Sequence, residues 1–173
     1  MERAQGFSLL ELLIVVAIIL IIAAIAIPNL LQARLAANEA SAVGSVQAIK
    51  TSEFTYFSTY PTVGFATQLS DLGGAGPCTP SSTSACLLDN FLATATPGSG
   101  GKSGYVFLAT GIVSGGAVNN TAFVIGAAPI FYKQTGTRDF CSTNDGILRQ
   151  KPGNPGDTPV NSLAACVAFP VAQ

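Results

Sequence analysis

The hydrophobic and polar positions divide the chain sharply. Residues 12–27 are sixteen consecutive apolar side chains (LLIVVAIILIIAAIAI), and with Leu9 and Leu10 the segment reaches nineteen residues interrupted only by Glu11. As a helix it extends roughly 28 Å, enough to cross the hydrocarbon core of a bilayer. After Pro28 the helical period continues but becomes amphipathic. Leu31, Leu35, Ala42, Val46 and Ile49 recur on one face, with Gln32, Arg34, Asn38, Glu39, Gln47 and Lys50 assigned to the others. Gly44 weakens this helix without breaking it, and no further proline occurs before Pro61. The pattern predicts one helix over 7–60, apolar all round at its start and apolar on a single face thereafter.

Beyond Pro61 the composition shifts to Gly, Ser, Thr and Pro, which marks a long connection up to about Gly104. Within it, residues 85–92 read as a short helix. Strand-like segments follow at 104–110, 121–127, 130–133, 138–142 and 146–149. Thr143-Asn144-Asp145-Gly146 reads as a hairpin turn whose glycine supplies a positive φ. Such close spacing predicts an antiparallel meander laid on the helix, an α+β architecture. From Lys151 the Pro- and Gly-rich tail is expected to have no fold of its own. Phe54, Tyr56, Phe57, Tyr60 and Phe65 crowd the helix end, where large rings are expected to anchor it to the sheet.

A carboxylate inside an apolar span is costly and marks a candidate functional residue. The residues around Glu11 narrow its role. A short leader ends in Gly6, Phe7 follows, and Glu11 lies near the start of the apolar run. A secretory signal peptide would have a basic leader and a cleavage site after its apolar region, whereas here Arg3 is offset by Glu2. The Gly6-Phe7-Ser8-Leu9-Leu10-Glu11 junction, with its apolar run and Pro28, resembles the N-terminal segment of type IV pilins and type II secretion pseudopilins. The resemblance covers about the first fifty residues.

It implies a pilin fold: a leader over 1–6, a helix over 7–60 whose stretch of about 7–28 spans the membrane and forms a filament core, and a periplasmic or surface head over 61–173. It implies cleavage between Gly6 and Phe7 by a prepilin peptidase, and N-methylation of Phe7. Phe7, Glu11 and Pro28 are the implied assembly residues, Glu11 pairing with the Phe7 amine of a neighbouring copy. The implied partners are further copies of this chain, the inner membrane before assembly, an assembly ATPase and a platform protein. Many members carry a glycine midway along the run; here that position is Leu20. Pro28 removes a helical hydrogen bond and so favours a kink or local melt.

Composition bounds the rest. Charged residues make up only 10% of the chain and the net charge is −1, which provides no electrostatic footprint for nucleic acid. Four cysteines occur without a C-x-x-C, and histidine is absent, so neither a metal site nor a cofactor is expected. In an exported head two disulfides are the natural outcome. Of the three possible connectivities we take the pairing of sequence neighbours, Cys78–Cys86 and Cys141–Cys166, the second stapling the tail to a strand.

Gly101-Lys102-Ser103 lacks the first glycine of a phosphate-binding loop, since position 96 is Thr96. Asn119-Asn120-Thr121 fits a glycosylation sequon by pattern alone. Asp139, Asn144 and Asp145 have no calcium-loop spacing. No catalytic constellation is present, and the reading is of a structural subunit, not an enzyme. A type IV pilus subunit at the cell surface is the leading expectation. A type II secretion pseudopilin, building a short periplasmic filament, is the alternative.

Overall fold

The computed structural model describes residues 7–172. Helix α1 runs Leu9–Thr59, and the chain separates into two units, residues 1–34 and 35–173. In the first unit every large apolar side chain of residues 9–31 is exposed. Pro28 lies within α1, and the helix continues through it without interruption, in place of the expected local melt. The Asn29 amide donates to the Ile25 carbonyl one turn back at 3.2 Å, adding a side-chain bond where the proline ring removes a backbone donor.

In the second unit the remainder of α1 packs on a four-stranded antiparallel sheet of order β1-β2-β3-β4. The strands are β1 (Tyr105–Ile112), β2 (Ala122–Pro129), β3 (Arg138–Thr143) and β4 (Leu148–Pro152). Alternation in the strands selects the face toward the helix. Tyr105, Phe107 and Ala109 of β1, Phe123, Ile125 and Ala127 of β2, and Phe140 of β3 share a core with Ala42, Val46, Ile49 and Tyr56 of α1. Strand β2 is buried along its whole length, because its other face is also covered. There Val124, Cys141 and Cys166 pack with Ile112, Val160, Leu163 and Phe169. The segment after Lys151 therefore forms a third layer. It includes α3 (Leu163–Val167), and its last residues pair with the β4 edge through Arg149 and Val171. A Cβ at Gly126 would overlap the Val160 backbone, so glycine sets how closely that layer approaches.

Two further local expectations fail. Residues 130–133 are not a strand; the chain turns back through them, with Lys133 at φ 62° and Gln134 N–H donating to the Phe131 carbonyl at 3.1 Å. The helix expected over 85–92 shrinks to α2 (Asn90–Ala93), whose N-cap Asp89 accepts from the Leu92 N–H at 2.9 Å. The backbone N–H groups of residues 85–88 donate instead to carbonyls of residues 71–73, and Cys86 adopts φ 58°, incompatible with a helix.

Candidate assembly segment

At the start of the apolar segment Phe7 is 84% exposed. Glu11 reaches back one turn, its Oε2 accepting the Ser8 N–H at 3.0 Å, while the Ser8 hydroxyl accepts from the Leu10 N–H at 3.3 Å. Each side chain thus satisfies a backbone donor that the helix start leaves without a partner, the reciprocal arrangement of a capping box. The Ser8-x-x-Glu11 spacing is visible in the sequence, but charge and hydropathy alone mark Glu11 only as an awkward acid. Gly6 lies outside the described residues. Along residues 12–27 an unbroken apolar cylinder follows, without a buried large side chain.

The head fastens its own portion of α1 by a polar contact that the periodicity misassigned. Glu39 belongs on the buried face: Glu39, Ala42, Val46, Ile49, Glu53 and Tyr56 form one seam at alternating spacings of three and four. The Glu39 carboxylate is saturated. One oxygen accepts the Thr137 N–H (2.8 Å) and hydroxyl (2.7 Å), and the other accepts Arg138 Nε (2.8 Å) and Nη2 (2.6 Å). Burial pushes this carboxyl up, but the bonds from Thr137 and Arg138 outweigh burial and hold it below its ordinary value.

The aromatic residues at the end of α1 pack as a ring cluster. Phe65 lies 5.9 Å from Phe54, 4.7 Å from Phe57 and 4.8 Å from Phe123 of β2, centroid to centroid. The rings join helix, following loop and sheet by offset and edge contacts. Two disulfides, Cys78–Cys86 and Cys141–Cys166, close the loop before α2 and tie α3 to β3.

Other conspicuous residues have structural work. Lys102 donates to the Ser45 hydroxyl at 2.9 Å, and Ser103 and Gly104 occupy the two positive-φ positions of a tight turn between Lys102 and Tyr105. Asn119 and Asn120 donate to the Pro61 and Phe65 carbonyls, tying the β1–β2 connection to the loop after α1. Asp145 accepts from Thr143, Ile147 and Arg149, and the Arg149 bond chiefly holds its carboxyl down at about 2. Lys151 lies between Asp139 (3.1 Å) and Asp157 (2.9 Å). Among the described residues no three Cys, Asp or Glu side chains group as a metal site.

The family model described as the prokaryotic N-terminal methylation motif matches residues 1–27. The type IV wide pilus major component PilA4 of Thermus thermophilus is 64% identical over 39 residues, 22% of this chain and 30% of that protein. The type IV major pilin protein PilA of Myxococcus xanthus is 45% identical over 56 residues, 32% of this chain and 26% of that protein. The N-terminal segment of the chain is type IV pilin-like. The matched stretch spans less than a third of either relative, and no solved structure matches the chain. The pilin-like N-terminus leads into a long helix that packs, from Leu35 onward, on a small antiparallel sheet, the pilin architecture.

Proposed function

We propose that this pilin-like chain is the structural subunit of a type IV pilus. The observation that carries the proposal is the processing junction itself: Gly6-Phe7 ahead of Ser8 and Glu11, opening an apolar helix with no buried large side chain. The two relatives, both major components of type IV pili by name, support it. Before assembly the apolar helix holds the subunit in the inner membrane with the head on the periplasmic side. A prepilin peptidase cuts between Gly6 and Phe7 and methylates the new amine. An assembly ATPase and a platform protein then deliver subunits to a growing surface fibre.

The capping box gives this sequence of events a physical order. In the precursor the Glu11 carboxylate is occupied by its own chain, at Ser8, which lowers the penalty of an acid in an apolar span. Cleavage creates a cationic amine at Phe7. Opposite charges about 4 Å apart attract by about 1 kcal/mol in water and about 4 kcal/mol at an effective dielectric of about 20. A carboxylate entering the low-dielectric fibre interior therefore gains most by meeting the amine of a neighbouring copy. That pairing fixes the stagger, while the exposed Leu, Ile and Val side chains of residues 9–27 supply most of the cohesion.

The test is Glu11→Ala. The variant should be exported, processed and retained in the membrane at wild-type level, yet yield few or no fibres. Normal fibre yield from Glu11→Ala would refute the pairing.

A further inference from the structure

Glu53 lies on the inner face of α1 and is fully buried. Its Oε2 accepts the Ala66 N–H at 2.9 Å, and its Oε1 has no hydrogen-bond partner among the described residues. Ala66 belongs to the loop after α1, and the outside of that loop is pinned by Asn120. Phe65 N–H donates to the Asn120 carbonyl at 3.0 Å, Asn120 N–H to the Val63 carbonyl at 2.9 Å, and the Asn120 amide to the Phe65 carbonyl at 2.9 Å. Glu53 supplies the matching hold from inside the core.

The groups acting on Glu53 give an ionised carboxyl little support. Asp71, from the 3-10 turn Leu69–Leu72, is an acid that is itself buried and bonded to Gln68. Tyr56, a phenol one turn along the same helix, is a further titratable neighbour, and no cation acts on Glu53 among the described residues. Burial first, and the Asp71 charge in addition, outweigh the Ala66 bond and push Glu53 up to about 8. One neutral donor does not replace the hydration shell of a carboxylate.

We propose that Glu53 is a proton-operated latch on the segment following α1. Protonated, it sits dry in the core and keeps Ala66 inward, with Phe65 seated among Phe54, Phe57 and Phe123. Deprotonated, the carboxylate draws in water, and residues 61–68 loosen at their Phe65-Ala66 centre. Raising the pH thereby uncovers an aromatic patch on the head while the sheet stays intact, a local opening and not global unfolding.

Amide hydrogen exchange on the full chain in detergent micelles, corrected for the intrinsic pH dependence of exchange, tests the latch. In the wild type the protection of Phe65 and Ala66 should be constant below about pH 4.5, the ordinary value that the opened carboxyl regains. It should fall by up to about tenfold per pH unit from there to about 8 and level off above, while Val124 in β2 is unaffected. In Glu53→Gln the protection at Phe65 and Ala66 should no longer change across that range. Equal pH dependence in wild type and variant overturns the proposal. If Glu53→Gln does not fold, a carbon-13 titration of the wild-type Glu53 carboxyl decides. A midpoint near 8, moving down in Asp71→Asn, supports the latch. A midpoint near 4.5, the ordinary glutamate value, overturns it.

Discussion

Replacing Glu39 by glutamine tests how the helix is fastened to the head. The variant keeps the side-chain shape and an oxygen that still accepts from the Thr137 N–H and hydroxyl. It puts an amide N–H group where the other carboxylate oxygen now accepts from Arg138 at 2.6 and 2.8 Å, so donor faces donor. Removing one member of a buried, hydrogen-bonded pair costs about 3–5 kcal/mol. Arg138 is 47% exposed and can turn to water, which discounts that figure to about 2 kcal/mol. The penalty must also depend on pH. The folded state holds the Glu39 proton more weakly than the unfolded chain does, so the unfolded chain takes it up first on acidification. The carboxylate's contribution is therefore full above the ordinary value of 4.5 and is lost as the pH falls through the lowered folded-state value. Urea unfolding of the micelle-held chain, followed by circular dichroism, should separate wild type from Glu39→Gln by about 2 kcal/mol at pH 7. The gap should close in strong acid. An equal gap at both pH values would refute the assignment of that energy to the ionised carboxylate.

Three further outcomes follow from packing and covalent restraint. Reducing Cys141–Cys166, whose sequence separation is 25, should destabilise the head by about 3 kcal/mol and open residues 153–172 to protease ahead of the sheet. Gly126→Ala, by pushing its Cβ into the Val160 backbone, should cost about 1–3 kcal/mol, read as a lower Tm with the C-terminal layer loosened first. Phe65→Ala removes a ring that touches three others and should cost about 3–5 kcal/mol in the same urea assay.

The fold was legible where local pattern and tertiary demand agree. An apolar run that long has few alternatives to a helix, and Thr143-Asn144-Asp145-Gly146 does turn, with Gly146 at φ 74°. The rings at the end of α1 found the sheet as their size suggested. The failures share a cause. Glu39 and Glu53 occupy core positions at core spacing, but a rule that sends charge to solvent assigned Glu39 outward. Only partners about a hundred residues away, Thr137 and Arg138, make its burial tolerable, and no local window contains them. Residues 130–133 are apolar enough for a strand, yet the chain must reverse there to bring Thr137 and Arg138 to α1. The tail after Lys151 acquires structure only because the outer sheet face, from Val124 to Cys141, needs covering. At the assembly segment the reverse holds: Ser8 and Glu11 carry a local signal, the capping box, that attention to the acid alone passed over.

Mass spectrometry of fibres sheared from cells tests the central claim most directly. The account predicts long extracellular fibres whose main polypeptide begins at an N-methylated Phe7, lacks residues 1–6, and retains both disulfides. A chain found only in the cell envelope, absent from the sheared fraction, would contradict the pilus reading and favour a periplasmic secretion filament. A fibre subunit that still carried Gly6 would contradict the processing step on which the Glu11 pairing depends.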